Sequence, residues 1–317
     1  MGPPPVTRIT PARPFERCGI DFYGPINTYL RIRGKPPTKS YLAVFVCLVT
    51  KAVHIEVVSD LSTNVFLNAL KRMSGLRKMP CDIFCDNATN FVGASNQLKD
   101  LKQFLFKTET LNEIYKHCSS DFINFHFIPP RAPHFGGLWE AAVKSAKGLL
   151  NRTLANTKLT FKELNTVAVE VEDILNSRPL SSMSSDPNDF GALTPGHFLV
   201  GDSLRGLPER SLELKTVSHL DRYNTITAIQ QSFWRRWSVD FINELRARVK
   251  WTTPSPDLTN GALVITHDDN LPPQRWRLGR VESNVLGRDG HVRVVNLRTA
   301  NGTLCRPIHK LAILPIS

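Results

Sequence analysis

Three strand-like runs lie within residues 16–58, a helix follows, and short strands then alternate with helices as far as residue 176. The first run, Glu16–Tyr23, closes on a Gly24-Pro25 turn. The runs Ser40–Thr50 and Ala52–Val58 are dense in Val, Ile, Leu and Phe, and the break at Lys51 predicts a hairpin. Ser62 then caps a helix with Val65, Leu67, Leu70 and Met73 on one side, stopping at Gly75. A short strand follows over Cys81–Cys85, helices over 94–105 and 111–118, and an alternating strand over Phe122–Ile128. Leu138–Leu154 and Thr160–Asn176 read as amphipathic helices, the second opened by a Thr160/Glu163 capping box. Strands in this order predict a mixed α/β sheet covered by helices.

The composition changes beyond Arg178-Pro179. Ser181–Pro187 is polar and rich in helix breakers, and Leu193–Val200 is a compact apolar piece. Asp221–Lys250 reads as one long helix. Ala262–Thr266, Trp276–Glu282, His291–Leu297 and Thr303–Pro307 read as short strands between Gly and Asp turns, the spacing of a small barrel. The expected division is an N-terminal arm over 1–13, a core over 14–201, a linker with the long helix over 202–257, and a small β-barrel over 258–317.

Within this frame three acidic residues stand at the ends of elements. Asp21 lies in Cys18-Gly-Ile-Asp-Phe-Tyr-Gly-Pro25, Asp86 in Cys85-Asp-Asn-Ala-Thr-Asn-Phe91, and Glu140 in Gly136-Gly-Leu-Trp-Glu-Ala-Ala-Val-Lys144. Taken singly, each has an ordinary reading: a strand-edge Asp, an Asx-turn, a carboxylate offsetting a helix dipole. Together, each beside small residues that allow close backbone approach, they form a set that could hold divalent cations through hard oxygen ligands. Two-metal phosphoryl transfer needs that donor set. Lys144 and Lys147 follow Glu140 at helical spacing, so a basic stripe would continue from the carboxylate along one face. The plain alternative there is a solvated Glu–Lys pair.

Charge bears on the partner. Forty Lys+Arg against 28 Asp+Glu leave a net charge of +12, which favours polyanions through counterion release. The basic residues gather at Arg235 and Arg236 on the long helix, and at Arg275, Arg277, Arg280, Arg288, Arg293, Arg298, Arg306 and Lys310 over the terminal strands. Arginine suits phosphate through its planar donor fork, although a solvated sheet face reads the same way. The six cysteines are scattered without a Cys-x2-Cys pair and predict buried free thiols rather than a zinc site. No signal peptide is expected, and the apolar run 41–50 is far shorter than the roughly 20 residues that span a bilayer.

The chain resembles the integrases of BEL/Pao-type LTR retrotransposons, within the retroviral-type integrase family. The matching stretches are Pro14–Pro25, Asp86–Gly93, Pro130-Arg-Ala-Pro-His-Phe-Gly-Gly-Leu-Trp-Glu140, Leu175-Asn-Ser-Arg-Pro-Leu180 and Leu193–Gly201, in the family's order. Phe233-Trp-Arg-Arg-Trp237 and the terminal strands look like the family's C-terminal region. The resemblance implies an RNase H-like mixed sheet flanked by helices, followed by a long linking helix and a small all-β barrel that binds DNA. It implies that Asp21, Asp86 and Glu140 are catalytic and hold two Mg²⁺ or Mn²⁺ ions for DNA 3′-end processing and strand transfer. Asn87 and Asn90 would position substrate, with Lys144, Lys147 and the arginines 235, 236, 275, 277 and 280 contacting DNA. The implied partners are element ends and target DNA, bound by a homo-oligomer acting in the nucleus after import from the cytoplasm, with no membrane association.

Two departures accompany the match. The stretch between Asp86 and Glu140 is longer than in the retroviral pattern, and Leu111–Cys118 would absorb the surplus as a surface insertion. No counterpart of the zinc-binding module lies upstream of Asp21, which predicts a fragment of a longer polyprotein or a truncated element copy. The alternative reading is a catalytically inactive or domesticated, element-derived DNA- or chromatin-binding protein.

Overall fold

The computed structural model describes residues 10–85, 93, 96, 123–127, 147–154, 157–184, 186–212, 221–247, 258–268, 271–287 and 292–314. The chain divides into two compact units, Met1–Glu172 and Asp173–Ser317.

In the first unit, β1 (Arg17–Thr28), β2 (Thr38–Cys47) and β3 (Val53–Val58) form an antiparallel meander. β4 (Asp82–Cys85) pairs parallel to β1, and β5 (Asn124–Phe127) parallel to β4. The strand order is β3-β2-β1-β4-β5. Leu42 to Cys47 of β2 are buried on both faces, and all of β3 is buried, as continuous apolar runs require in a sheet covered on two sides. The β2–β3 hairpin turns at Lys51, whose φ of 59° lies in the left-handed region, with Cys47 N–H donating to the Ala52 carbonyl at 2.8 Å.

β1 does not stop at the expected Gly24-Pro25 turn. The register with β2 shifts between Tyr23 and Ile26, and pairing then resumes to Thr28. Gly24 has φ +143°, and a Cβ there would lie 2.7 Å from the Tyr41 ring, so only glycine fits this bulge. Beyond it the Thr28 hydroxyl meets Thr38 Oγ1 at 3.0 Å and Ser40 Oγ at 2.9 Å, which holds the far end of the strand in the sheet.

Helix α1 (Thr63–Arg77) is capped by Ser62, whose Oγ accepts from Val65 N–H at 3.4 Å. Its buried residues are Phe66, Ala69, Leu70 and Met73, so the apolar stripe is centred one position away from the expected one and leaves Val65 and Leu67 half-buried. The helix also runs past Gly75, because Arg77 is anchored by Glu172 at 2.7 Å. Residues 147–154 form helix α2. Helix α3 (Phe161–Asn176) opens with the expected capping box: Thr160 N–H donates to Glu163 Oε2 at 2.8 Å, and Glu163 N–H to Thr160 Oγ1 at 3.3 Å.

Near the far end of its first-unit portion, α3 places Glu172 beside edge strand β3. Its Oε2 accepts from Ile55 N–H at 2.8 Å, satisfying an edge donor. The same carboxylate meets His54 Nδ1, and His54 Nε2 lies 3.3 Å from Glu56, which pairs in turn with Arg72 at 2.6 Å. Burial opposes charging of His54, but its bonds to Glu172 and Glu56 outweigh this and raise its pKa. Burial alone would raise Glu56 and Glu172; the bonds to His54, with Arg72 and Arg77 beside them, hold both below the ordinary carboxylate range.

In the second unit, β6 (Ser181–Ser182) pairs with β7 (Ala192–Leu193), and short helix α4 (Pro195–Val200) follows. Long helix α5 (Arg222–Ala247) precedes a five-stranded antiparallel sheet ordered β11-β10-β9-β8-β12. Its strands are β8 (Leu263–Thr266), β9 (Arg277–Leu286), β10 (Val292–Thr299), β11 (Gly302–Pro307) and β12 (Leu311–Ile313). The last strand was not expected from its three residues; it is defined by its pairing with β8. Val264, Val281, Val295, Leu297 and Leu311 gather on one face with Leu304 packed against them. Leu263, Ile265 and Ala312 occupy the other, covered by Phe241, Ile242 and Leu245 of α5. Alternate residues of β8 thus supply two different cores.

The thiols of Cys18, Cys47 and Cys85 are buried as expected, whereas Cys305 on β11 is exposed. Burial pushes the Cys18 thiol far up, so it stays protonated and inert. Among the described residues no helix is long and apolar enough to cross a membrane.

Candidate active site

β1 is the central strand of the first unit, flanked by β2 and β4. Its alternation sorts two chemistries. Ile20 is buried and Phe22 meets Phe66 of α1 edge-on, with ring centroids 6.2 Å apart. Asp21 and Tyr23 alternate with them and engage α2 instead. Lys147 Nζ donates to Asp21 Oδ2 and lies 3.4 Å from the Phe22 carbonyl; one helical turn on, Asn151 Oδ1 accepts from the Tyr23 hydroxyl. Two residues two apart on a strand therefore meet two residues four apart on a helix, which fixes α2 along β1. Burial pushes the Tyr23 hydroxyl up to about 12, so it remains a donor at neutral pH.

The Asp21 and Lys147 side chains are 29% and 22% exposed, so the pair is partly desolvated but open to solvent on one side. A carboxylate in this setting calls for a cation, and the ammonium of Lys147 supplies one. A hard-oxygen ligand that already draws positive charge fits a divalent ion, which would have to displace that ammonium or share the carboxylate with it. Among the described residues no group of three His, Cys, Asp or Glu stands ready to hold a metal. Asp86, Asn87, Asn90, Glu140 and Lys144 lie outside the described residues. β4 ends at Cys85, one residue short of Asp86.

The contacts of Tyr23 and Asn151 were missed from the sequence, although the spacings that align them with Asp21 and Lys147 were visible there. Nothing in the sequence pointed to the His54–Glu56–Glu172 network, whose members lie on different elements.

The arginines of the second unit divide by environment. Arg235 and Arg236 on α5 and Arg275 before β9 are exposed. Arg277 pairs with Asp268 at 2.8 Å. Arg280, expected to face DNA, is only 7% exposed. Its guanidinium donates to the carbonyls of Ser184, Asp189 and Gly261 at 2.8, 2.9 and 3.0 Å, which makes it a clamp on the 184–189 loop. Arg298 adds a bond to the Pro187 carbonyl at 2.6 Å and sits over the Phe190 ring. Part of the basic terminal stretch is thus internal bracing.

Residues 221–314, which span α5 and the antiparallel sheet, match a family of unknown function (DUF5641). No curated protein matches the sequence. Among solved structures, a chain of a simian T-cell lymphotropic virus intasome in complex with the PP2A regulatory subunit B56 gamma is similar over 96% of this chain and 80% of that chain, at 14% identity and a TM-score of 0.35. At that TM-score the similarity is no basis for assigning an activity, which has to rest on the residues.

Proposed function

We propose that the chain is the core of a retrotransposon integrase, of the BEL/Pao type that its motifs resemble, acting on DNA 3′ ends by metal-dependent phosphoryl transfer. The observation that carries this reading is the register around Asp21. β4 runs parallel to β1 with Gly19 opposite Phe84, and in sequence Asp21 follows Gly19 by two positions as Asp86 follows Phe84. Two of the three acids would then share one end of a parallel strand pair. The third, Glu140, precedes Lys147 by seven positions, two helical turns on the expected helix, and Lys147 is the residue that touches Asp21. A mixed sheet with helices against it supports the RNase H-like reading, and the second unit's antiparallel sheet supports that of a small DNA-binding barrel.

Asp21, Asp86 and Glu140 would hold Mg²⁺ or Mn²⁺, two ions in all, whose chemistry is to polarise a phosphodiester and favour the deprotonated nucleophile. The chain's own part is positional. Asp21 is fixed by β1 between two neighbouring strands. Lys147, once released from Asp21, would meet an adjacent phosphate. Asn87 and Asn90 would orient the DNA end, and Arg235, Arg236, Arg275 and Arg277 would hold its backbone. Homo-oligomeric assembly on DNA and a nuclear site of action go with this reading.

The test is strand transfer on oligonucleotides from the element's own termini, in Mg²⁺ or Mn²⁺. Asp86→Asn should abolish it and retain most non-specific DNA affinity. Equal activity in the variant and the unaltered protein would dispose of the proposed site. A chain that binds DNA but never joins ends would favour the inactive, domesticated alternative.

A further inference from the structure

We infer that the turn joining β1 to β2, together with residues 158–162, is a grip for the phosphate backbone of duplex DNA, separate from the carboxylate site. This rests on the DNA-directed reading above. Residues 31–39 are all exposed and carry Arg31, Arg33, Lys35 and Lys39, and the sequence has no Asp or Glu between Asp21 and Glu56. The adjoining segment adds exposed Lys158, whose ammonium lies 5.8 Å from the centre of the Tyr29 ring, and exposed Lys162. Glu163, next along this segment, has a largely buried side chain that accepts from the Thr160 N–H and pairs with Arg31. It pins Arg31 without neutralising the others.

The turn stands on a rigid base. Tyr29 N–H donates to the Leu159 carbonyl at 2.9 Å, and Thr28 bridges to Leu159, so the segment after α2 is stitched to the root of the hairpin. Within the turn Lys35 N–H donates to the Ile32 carbonyl at 3.2 Å, and Gly34 takes φ +81° with open space around it. Donors presented on a braced loop lose little entropy on binding. Leu30, just before Arg31, and Ile32, between Arg31 and Arg33, are 55% and 59% exposed. A turn built only for solvation has no use for these apolar groups, whereas deoxyribose faces beside a phosphate row would cover them.

β1 leads from Asp21 to this turn. From Asp21 to the strand's end at Thr28 is seven steps, about 23 Å at most, or roughly seven base-pair steps of duplex. A duplex bound at Asp21 could reach the turn well away from the reacting end. The grip would lengthen the footprint without reading sequence, because contacts to phosphate carry no base information.

The experiment uses the full chain and fluorescence anisotropy of a labelled random-sequence duplex across a salt series. R33Q/K35Q/K39Q leaves the Arg31–Glu163 pair intact. It should weaken binding about tenfold or more and make the log–log salt slope shallower by up to about three. An unchanged thermal midpoint and recovery of affinity in R33K/K35R/K39R would tie the loss to charge rather than misfolding. Unaltered protein and triple variant binding equally would overturn the inference and leave the DNA-directed reading standing. Failure of the unaltered protein to bind duplex DNA would remove that reading and the grip with it. Tighter, equally charge-dependent binding of duplex RNA would overturn DNA as the occupant.

Discussion

Lys147 is the residue on which the candidate site turns. Its ammonium occupies the Asp21 carboxylate, where the proposed chemistry needs a divalent ion. Lys147→Ala should therefore tighten Mn²⁺ binding severalfold, read by electron paramagnetic resonance titration of the free ion. Unchanged or weaker binding would show that the ammonium and the metal do not compete. Glu172 is the corresponding position for stability. Its carboxylate serves the Ile55 N–H, His54 and Arg77 at once, in a largely buried setting. Glu172→Ala leaves those donors unpaired and should cost about 3 kcal/mol in denaturant unfolding, in the range for breaking one side of a buried pair. Both roles were hidden in the sequence. A lysine seven positions after a glutamate reads equally as a phosphate contact or as a solvated helix face, and its pairing with Asp21 depends on where α2 lies.

At the scale of elements, β9 shows why a basic run is a poor guide to a surface. Arg275, Arg277 and Arg280 are close in sequence, yet the first is exposed, the second paired and the third buried under the 184–189 loop. Arg280→Met should lower the unfolding midpoint, because three carbonyls lose a charged donor at about 1.5–3 kcal/mol per bond before relaxation. It should leave the salt slope of DNA binding unchanged. Neutralising Arg275 and Arg277 should do the reverse, weakening DNA binding and flattening the slope. A flattened slope in Arg280→Met would return that residue to the DNA-contact set. Helix α3 shows the opposite case. Its capping box was legible because Thr160 and Glu163 act across three residues, with nothing distant required. β1 lies between these extremes: Gly24-Pro25 reads locally as a stop, and β2 carries the strand through it by offering partners on the far side.

At the scale of the molecule, charge and protonation set the working conditions. His54 has its pKa raised in the fold, so its contribution is fully present below pH 6.5 and is lost as pH rises through the folded value. Glu56 and Glu172 have theirs lowered, so their contributions are present above pH 4.5 and are lost as pH falls through the folded values. The first unit should be most stable between those two limits, and His54→Gln should flatten the decline on the alkaline side of a stability–pH profile. A decline of unchanged slope in that variant would assign it to another group. The sequence alone determined the strands of the first unit's sheet, the hairpin at Lys51, the capped helices and the excess of positive charge, because each follows from residues near one another in the chain or from simple counting; the helices expected over 94–105 and 111–118 lie outside the described residues. Tertiary structure alone decided which cation meets Asp21, which arginines are bracing, that β12 exists at all, and that His54 sits between two glutamates. These depend on contacts between segments far apart in the chain, where burial and a partner's reach, rather than residue type, set what each side chain does.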